Sequence, residues 1–263
     1  MRINRFLSSC GLGSRRKAEG LVKERRVRVN GKTISDLSFQ VSERDQVQVD
    51  EKIVRLLEPR FYLLNKPRGV MVSHFDPHFQ KLIYDYLPDP RGLFAVGRLD
   101  VDSEGLIFVT NRGDLAQKIA HPSHEMEKEY WVLLNKAFDP SSARRAIEGV
   151  QGKEEAYRVD VMEPLKELSL AKKRLILTSD PDPMKMVRVV LHEGKKREVR
   201  RIFEALGYRV ERLLRVRIGP VSLGDLPPGH YREILPNEQK ALFSEIREKE
   251  GKNGSSLLSS HNH

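Results

Sequence analysis

Apolar residues recur along this chain with two different periods, and each change of period marks out an element. In RRKAEGLVKERR, from Arg15 to Arg26, Ala18, Leu21, Val22 and Arg25 stand at i, i+3, i+4 and i+7, the spacing of one helix face. Ser14 precedes the run in the N-cap position, where a hydroxyl can satisfy one of the unpaired N–H groups of the first turn. VRVNGKTI then alternates Val27 and Val29 before Asn30-Gly31, a pair whose tolerance of positive φ suits a two-residue hairpin turn. DQVQVDEKIV repeats the alternation near residue 50. Two short helices and these hairpins predict a compact α+β unit over residues 1–58.

Past Glu58-Pro59 the pattern changes. RFYLLNKPRGVMVS opens as an apolar strand and breaks at Lys66-Pro67, because the pyrrolidine ring removes a backbone donor. GLIFVTNRG reads as a buried strand and a turn, with Asp114 as the cap of a helix DLAQKIAH. KEYWVLL, KRLILTS and YRVERLLRVRIG read as further strands. KREVRRIFEALG carries Val199, Ile202, Phe203 and Leu206 at helical spacing and ends at Gly207, the residue best suited to a left-handed C-terminal position. Strands outnumber helices, which predicts a mainly antiparallel mixed sheet with helices on one side, over residues 59–240. The tail over 241–263, containing REKEGKNGSSLLSSHNH, is polar and rich in breakers and is expected to be disordered.

Composition removes several classes of function. The chain is 39% hydrophobic and 32% charged, and it has no apolar run long enough to predict a membrane span. MRINRFLSSCG lacks the apolar core of a secretory signal. Cys10 is the single cysteine, which leaves no internal disulfide and no cysteine-based zinc site. Beside Leu7 it reads as a small buried apolar residue. A reducing, cytoplasmic setting is expected. The formal charge of +10 is unevenly spread. Residues 1–32 hold ten Lys/Arg against only Glu19 and Glu24, the footprint of a segment that meets nucleic acid or another anionic surface.

Against that basic background, GRLDVDSEG (97–105) gathers Asp100, Asp102 and Glu104. A calcium loop starting at Asp100 would need Glu at its twelfth position, which is Asn111, and apolar LIFVT interrupts it. A metal set of His121, His124 and Glu127 conflicts with a helix because of Pro122. No metal is therefore expected. Asp102 and Glu104 fit a solvated turn. Asp100 follows Leu99 between apolar LFAVG and LIFVT, where an unpaired buried carboxylate costs on the order of several kcal/mol. It calls for a basic partner. EGKKREVRR offers Lys195, Lys196, Arg197, Arg200 and Arg201, crowded at a helix start where the dipole disfavours cations.

Two resemblances rest on these stretches. SRRKAEGLVKERRVRVNGK resembles the alpha-L RNA-binding domain, named after a small-subunit ribosomal protein. That likeness implies that Arg2, Arg5, Arg15, Arg16, Lys17, Arg26 and Asn30 meet structured RNA. LNKPRG, VGRLDVDSEGLIFVTNRGDLAQKIAHP, EKEYWV and EGKKREVRRIFEALGYRVERLLRVRIGP stand in the order found in pseudouridine synthases of the RsuA/RluB type. That family also carries an N-terminal alpha-L domain, and the resemblance extends from residue 1 to about 237.

The second resemblance implies roles. Asp100 would be the catalytic aspartate and Arg98 would help displace the target uridine. Tyr130 would pack on the flipped uracil, Arg200 would pair with Asp100, and Lys66 would support the catalytic loop. Lys195, Lys196, Arg197 and Arg201 would bind RNA phosphates. Ser103 stands where the family often has threonine and keeps the hydroxyl. The reaction detaches uracil from its ribose nitrogen, turns it and rejoins it through carbon, so it calls for no cofactor. The carboxylate either adds to the uracil ring or takes a proton from the ribose; both remain open. The implied substrate is ribosomal RNA or a pre-ribosomal particle, of the large subunit rather than the small, acted on by a monomer. The alternatives are a small-subunit synthase and a non-catalytic ribosomal-RNA-binding or assembly protein of the same architecture.

Overall fold

The computed structural model of the chain describes residues 1–152, 155–165 and 182–259; the expected strand KRLILTS lies outside them. In the N-terminal module, α1 (Ile3–Ser9) and α2 (Arg15–Lys23) pack on a four-stranded antiparallel sheet. Its strands β1 (Val27–Val29), β2 (Lys32–Thr33), β3 (Val47–Val49) and β4 (Lys52–Ile53) lie in the order β2-β1-β3-β4. Asn30 and Gly31 adopt φ of 50° and 79°, the positive values a two-residue turn demands. Ser14 Oγ accepts from Lys17 N at 3.2 Å, so the helix starts where the cap residue stands. It ends three residues before the expected Arg26. Arg25 has a φ of 56° and an exposed side chain, because the chain must leave the helix there to bring Val27 into the core.

The rest of the chain builds one large sheet. Its elements are β5 (Phe61–Lys66), β6 (Phe94–Val96), β7 (Glu104–Thr110), α3 (Gly113–Ala120), β8 (Lys128–Leu134), α4 (Ser141–Glu148), β9 (Val150–Gln151), β10 (Ala156–Tyr157), β11 (Val161–Pro164) and β12 (Met186–Leu191). They continue with α5 (Glu198–Ala205), β13 (Val210–Ile218), β14 (Val221–Ser222), β15 (Tyr231–Glu233) and α6 (Pro236–Ser259). The strand order is β11-β12-β8-β13-β7-β5-β15, with β14 on β13 and β6 on β7, while β9 and β10 pair separately. Every ladder is antiparallel except the central pair β7–β13, which is parallel.

Helices cover both faces of this sheet, not one as expected. Leu106, Phe108, Trp131 and Leu214 meet Leu115 and Ile119 of α3 and Leu242 and Ile246 of α6. On the other face Val132, Val187, Val189 and Leu213 meet Ala146 of α4 and Val199, Ile202 and Phe203 of α5. The reason is visible in β7, buried at all of its positions. A continuous apolar run must be covered on both sides, and each Leu, Ile or Phe so covered contributes about 1.5–3 kcal/mol.

Helix ends differ from the expectation in two places. α3 has no side-chain cap: Asp114 instead pairs with Arg112 at 2.7 Å, while Thr110 Oγ1 accepts from Arg112 N at 3.0 Å. The tail expected to be disordered from 241 is helical through Ser259. Leu242 and Ile246, one turn apart, dock into the sheet, and Glu238 fixes the start by accepting from Leu235 N at 3.0 Å and pairing with Arg232 at 2.7 Å. Two apolar side chains in a polar run are a weak pattern in sequence yet enough to anchor a helix on an existing core. Among the described residues no helix is long and apolar enough to cross a membrane.

Candidate active site

Strand register aligns Lys66 of β5, Gly105 of β7, Arg215 of β13 and Tyr130 of β8 in one row across the sheet. A cleft of ≈ 680 Å³ is lined by the last two of these, by Arg98, Asp100 and Ser103, and by Lys128, Arg197 and Glu198. That volume lies in the range of small-ligand sites. Gly105 makes the row possible. At its φ of 101° an added Cβ would lie 2.3 Å from the Arg215 carbonyl oxygen, so only glycine lets β13 run this close beside β7.

Asp100 sits on the turn between β6 and β7, where Ser103 N donates to the Asp100 carbonyl at 3.1 Å. The fully buried Lys66 holds this turn from beneath. Its ammonium donates to the carbonyls of Ser103, Pro67 and Val101 at 2.7, 2.9 and 3.4 Å. Burial pulls Lys66 down to about 8 against the opposing charges of Glu104, Asp102 and Asp100. Lys66 thus ties two carbonyls of the loop, those of Val101 and Ser103, to the Pro67 carbonyl at the end of β5.

The carboxylates are arranged differently from the expectation. Asp100 is not wedged between buried segments; its side chain is 38% exposed, with Arg197 Nη1 at 3.9 Å. Arg200 does not pair with it. Arg200 Nε stands 3.2 Å from Asp102 Oδ2, and its Nη2 donates to the Asp102 carbonyl at 2.8 Å. The remaining donor explains why: Arg200 Nη1 reaches the Val210 carbonyl at 3.1 Å, so the guanidinium bridges the start of β13 to the Asp102 end of the turn. Burial lowers its pKa from the usual arginine range. Asp102 also takes both Nη atoms of Arg197 at 3.2 and 3.3 Å. Partial burial pushes Asp102 upward, but the Arg197 bond and the Arg200 charge outweigh it and hold it below the ordinary carboxylate range. Glu104 is no solvated turn residue either. It is buried and accepts from Arg212 Nε and Nη2 at 2.9 and 2.5 Å.

The cleft is also lined by Tyr130 and by three charged residues that sequence reasoning missed. Lys128 donates to the carbonyls of His192, Met126 and Glu193 at 2.9, 3.0 and 3.1 Å, and burial lowers it to about 8. Glu198 is only 4% exposed, accepts from Lys195 N at 3.0 Å, and is raised by burial to about 7. Arg215 Nε donates to the Leu106 carbonyl at 2.8 Å. Ser103 Oγ, Glu198 Oε1 and Arg215 Nη2 are buried without a hydrogen-bond partner, an uncommon concentration beside one cleft. In sequence these charges look like ordinary surface residues, and only the strand register of Lys128 and Arg215 and the burial of Glu198 show otherwise.

The candidate RNA contacts divide into two groups. Arg2, Arg5, Arg15, Arg16, Lys17, Lys196 and Arg98 are exposed. Arg26 is engaged within the module by Asp50 at 2.5 Å and Glu24 at 3.1 Å. Asn30 is exposed, donates to Asp45 at 2.8 Å and accepts from Gln46 N at 2.9 Å, which ties the hairpin turn to the segment before β3. Lys195 pairs with Glu193 at 2.8 Å and Glu155 at 3.3 Å, and Arg201 donates to the Tyr157 hydroxyl at 2.7 Å. Of the residues weighed as a metal set, His121 meets Ser123 Oγ at 2.7 Å, His124 meets the Lys118 carbonyl at 2.5 Å, and Glu127 pairs with Arg217 at 3.0 Å. Burial pushes the Cys10 thiol up to about 12, far from a reactive thiolate.

The chain matches known proteins along most of its length. Residues 60–205 match the family described as RNA pseudouridylate synthase, and residues 1–47 match the S4 domain. The chain is 36% identical over 242 residues to the ribosomal large subunit pseudouridine synthase B of Bacillus subtilis, covering 92% of this chain and 95% of that protein. It is 37% identical over 253 residues to an uncharacterized RNA pseudouridine synthase of Mycobacterium leprae, covering 94% and 93%. A crystal structure of a pseudouridylate synthase superposes with a TM-score of 0.61 at 27% identity, covering 92% of this chain and 99% of that one. By fold, cleft and sequence, the chain belongs to the RNA pseudouridylate synthase family.

Proposed function

We propose that this protein converts a specific uridine of large-subunit ribosomal RNA to pseudouridine, acting in the cytoplasm as a monomer and without a cofactor. The observation that carries the reading is the half-exposed Asp100, on a turn fixed by the Lys66 ammonium, in one cleft with Tyr130, Arg98 and Arg197. The relative from Bacillus, named for the large subunit, supports the choice of RNA.

Each role follows from placement. The exposed cations of α1 and α2 bind the phosphate backbone, which makes affinity fall with salt. Arg98, exposed at the rim, takes the place of the displaced base. The flipped uracil stacks on Tyr130, an interaction worth ~1–3 kcal/mol in other single-strand binders. Asp100 then acts on the ring or on the ribose, with Arg197 supplying positive charge 3.9 Å away. The N1–C1′ bond breaks, the C5–C1′ bond forms, the C5 proton leaves, and N1 gains a proton. The atoms balance within the nucleoside and one proton is exchanged with the surroundings.

The test uses purified protein and its Asp100→Asn form on unmodified large- and small-subunit transcripts, with pseudouridine mapped by carbodiimide primer extension. A single new stop on large-subunit RNA is expected, lost in the Asn form while filter binding is retained. A stop only on small-subunit RNA would move the target. No stop on transcripts or on pre-ribosomal particles, despite tight binding, would replace the enzyme by an RNA-binding protein.

A further inference from the structure

Two lysine ammoniums tie the segments around the cleft, Lys66 fully buried and Lys128 partly so. Lys66, on the Asp100 turn, is already described. Lys128 gathers carbonyls from two separate segments. Met126 belongs to the stretch between α3 and β8, and His192 and Glu193 to the stretch between β12 and α5. An ammonium has three N–H donors and no acceptor, so three carbonyls use it completely. Such a group costs stability to bury. Its placement therefore points to what it ties. The stretch from His192 leads within five residues to Arg197, which stands at a φ of 56°, and then into the first turn of α5 with Arg200. Glu198 holds the same stretch from the helix side through Lys195 N.

We propose that Lys128 is a positioning residue of this reaction: by drawing the Met126, His192 and Glu193 carbonyls to one point, it fixes the backbone from which Arg197 and Arg200 grip the Asp100 turn. The inference rests on the isomerase reading above.

Two consequences separate this role from a purely structural one. Lys128→Met removes the donors at similar volume. It leaves the exposed cations of the N-terminal module in place, so kcat falls at least tenfold while KM stays within about twofold. The second consequence is a pH limb. Lys128 is faced by Arg215 of β13, Glu198 of α5 and Lys249 of α6, and titrates at about 8 in the folded protein. Above that pH a neutral amine offers two donors to three carbonyls, and the tie loosens. Lys66 titrates in the same range, so the alkaline limb of wild-type activity reflects two protons. Titration of these two lysines does not destabilise the protein over this limb. The unfolded lysines, near 10.5, bind more protons there than the folded ones, so stability rises with pH as activity falls.

The experiment follows tritium release from C5-labelled uridine in the RNA between pH 6 and 9.5, for wild type, Lys128→Met and Lys128→Arg, with circular dichroism and filter binding alongside. The expected result is a kcat-selective loss for the Met form. The Arg form, whose guanidinium does not titrate here, should show an alkaline limb reduced from two protons to one. A folded Met form with kcat within twofold of wild type overturns the inference. Should the Met form fail to fold, the Arg form decides alone, and an alkaline limb as steep as that of wild type overturns it. If wild type itself releases no tritium, the isomerase reading has failed; if wild type is active, only the inference is at stake.

Discussion

Replacing Gly105 by alanine places a Cβ 2.3 Å from the Arg215 carbonyl oxygen and 2.8 Å from its amide nitrogen, at a φ of 101°. Two penalties add. An L-residue held at positive φ costs about 1–2 kcal/mol. Relieving the clash requires β13 to shift away from β7, and overpacking of that kind costs about 1–3 kcal/mol. Together they predict a loss of about 2–5 kcal/mol. Gly97 separates the two penalties, because it has a φ of 76° but nothing within 4 Å of an added Cβ. Gly97→Ala therefore incurs only the first, about 1–2 kcal/mol. Urea denaturation of the two variants at equal m-values measures the difference, expected to be about 1–3 kcal/mol with Gly105→Ala the weaker protein. If Gly105→Ala proves as stable as Gly97→Ala, the close approach of β13 is not the reason for the glycine. The account of how Arg215 and Tyr130 come to share a row with Lys66 then fails with it.

Glu198, raised by burial to about 7 from 4.5, holds its proton more tightly folded than unfolded. It therefore weakens the protein progressively as pH rises from 4.5 through 7. Glu198→Gln should gain about 1–3 kcal/mol at pH 8.5 and nothing at pH 4.5 in thermal melts; an equal gain at both would contradict the burial argument. Arg212→Met strands the buried Glu104 and should cost about 3–5 kcal/mol in urea melts, most of it recovered when Glu104→Leu is added. A double variant as weak as the single one would mean that the pair itself, not the stranded charge, carries the stability. Alanine at Arg15, Arg16 and Lys17 together should lower the slope of log K against log salt for RNA binding by about 2–3, measured by filter binding; an unchanged slope would place the RNA elsewhere.

What could be read in advance was whatever a local pattern determines. The Asn30-Gly31 turn, the Ser14 cap and the α5 face of Val199, Ile202 and Phe203 each depend on residues within one or two turns of chain. GRLD, read through the family resemblance, is equally local, and its turn brings Asp100 to the cleft. The choice of partner for each charge was not legible, because it is made between strands and helices far apart in sequence. Arg200 reaches Asp102 rather than Asp100 because the Val210 carbonyl fixes its other end. Glu104, which a composition argument assigns to solvent, faces Arg212 only because β7 and β13 run side by side. Lys128 looks like any lysine at a strand start until its three carbonyls, from segments more than sixty residues apart, are in place. The α6 helix was hidden because two apolar residues carry it and its docking face is made by the rest of the fold.

The parallel pairing of β7 with β13 also orders events during synthesis. The hydrogen-bonded sheet of the N-terminal module closes within residues 27–53, and its strands meet only near neighbours. The row of Lys66, Gly105, Arg215 and Tyr130 cannot exist until residue 215 has emerged to lie beside residue 105. At about 5–20 residues per second, a growing chain spends on the order of ten seconds or more with its RNA-binding module complete and its cleft unmade. A chain released early in that interval would be a competitor: it would occupy the RNA with its basic helices and have no chemistry with which to leave a mark.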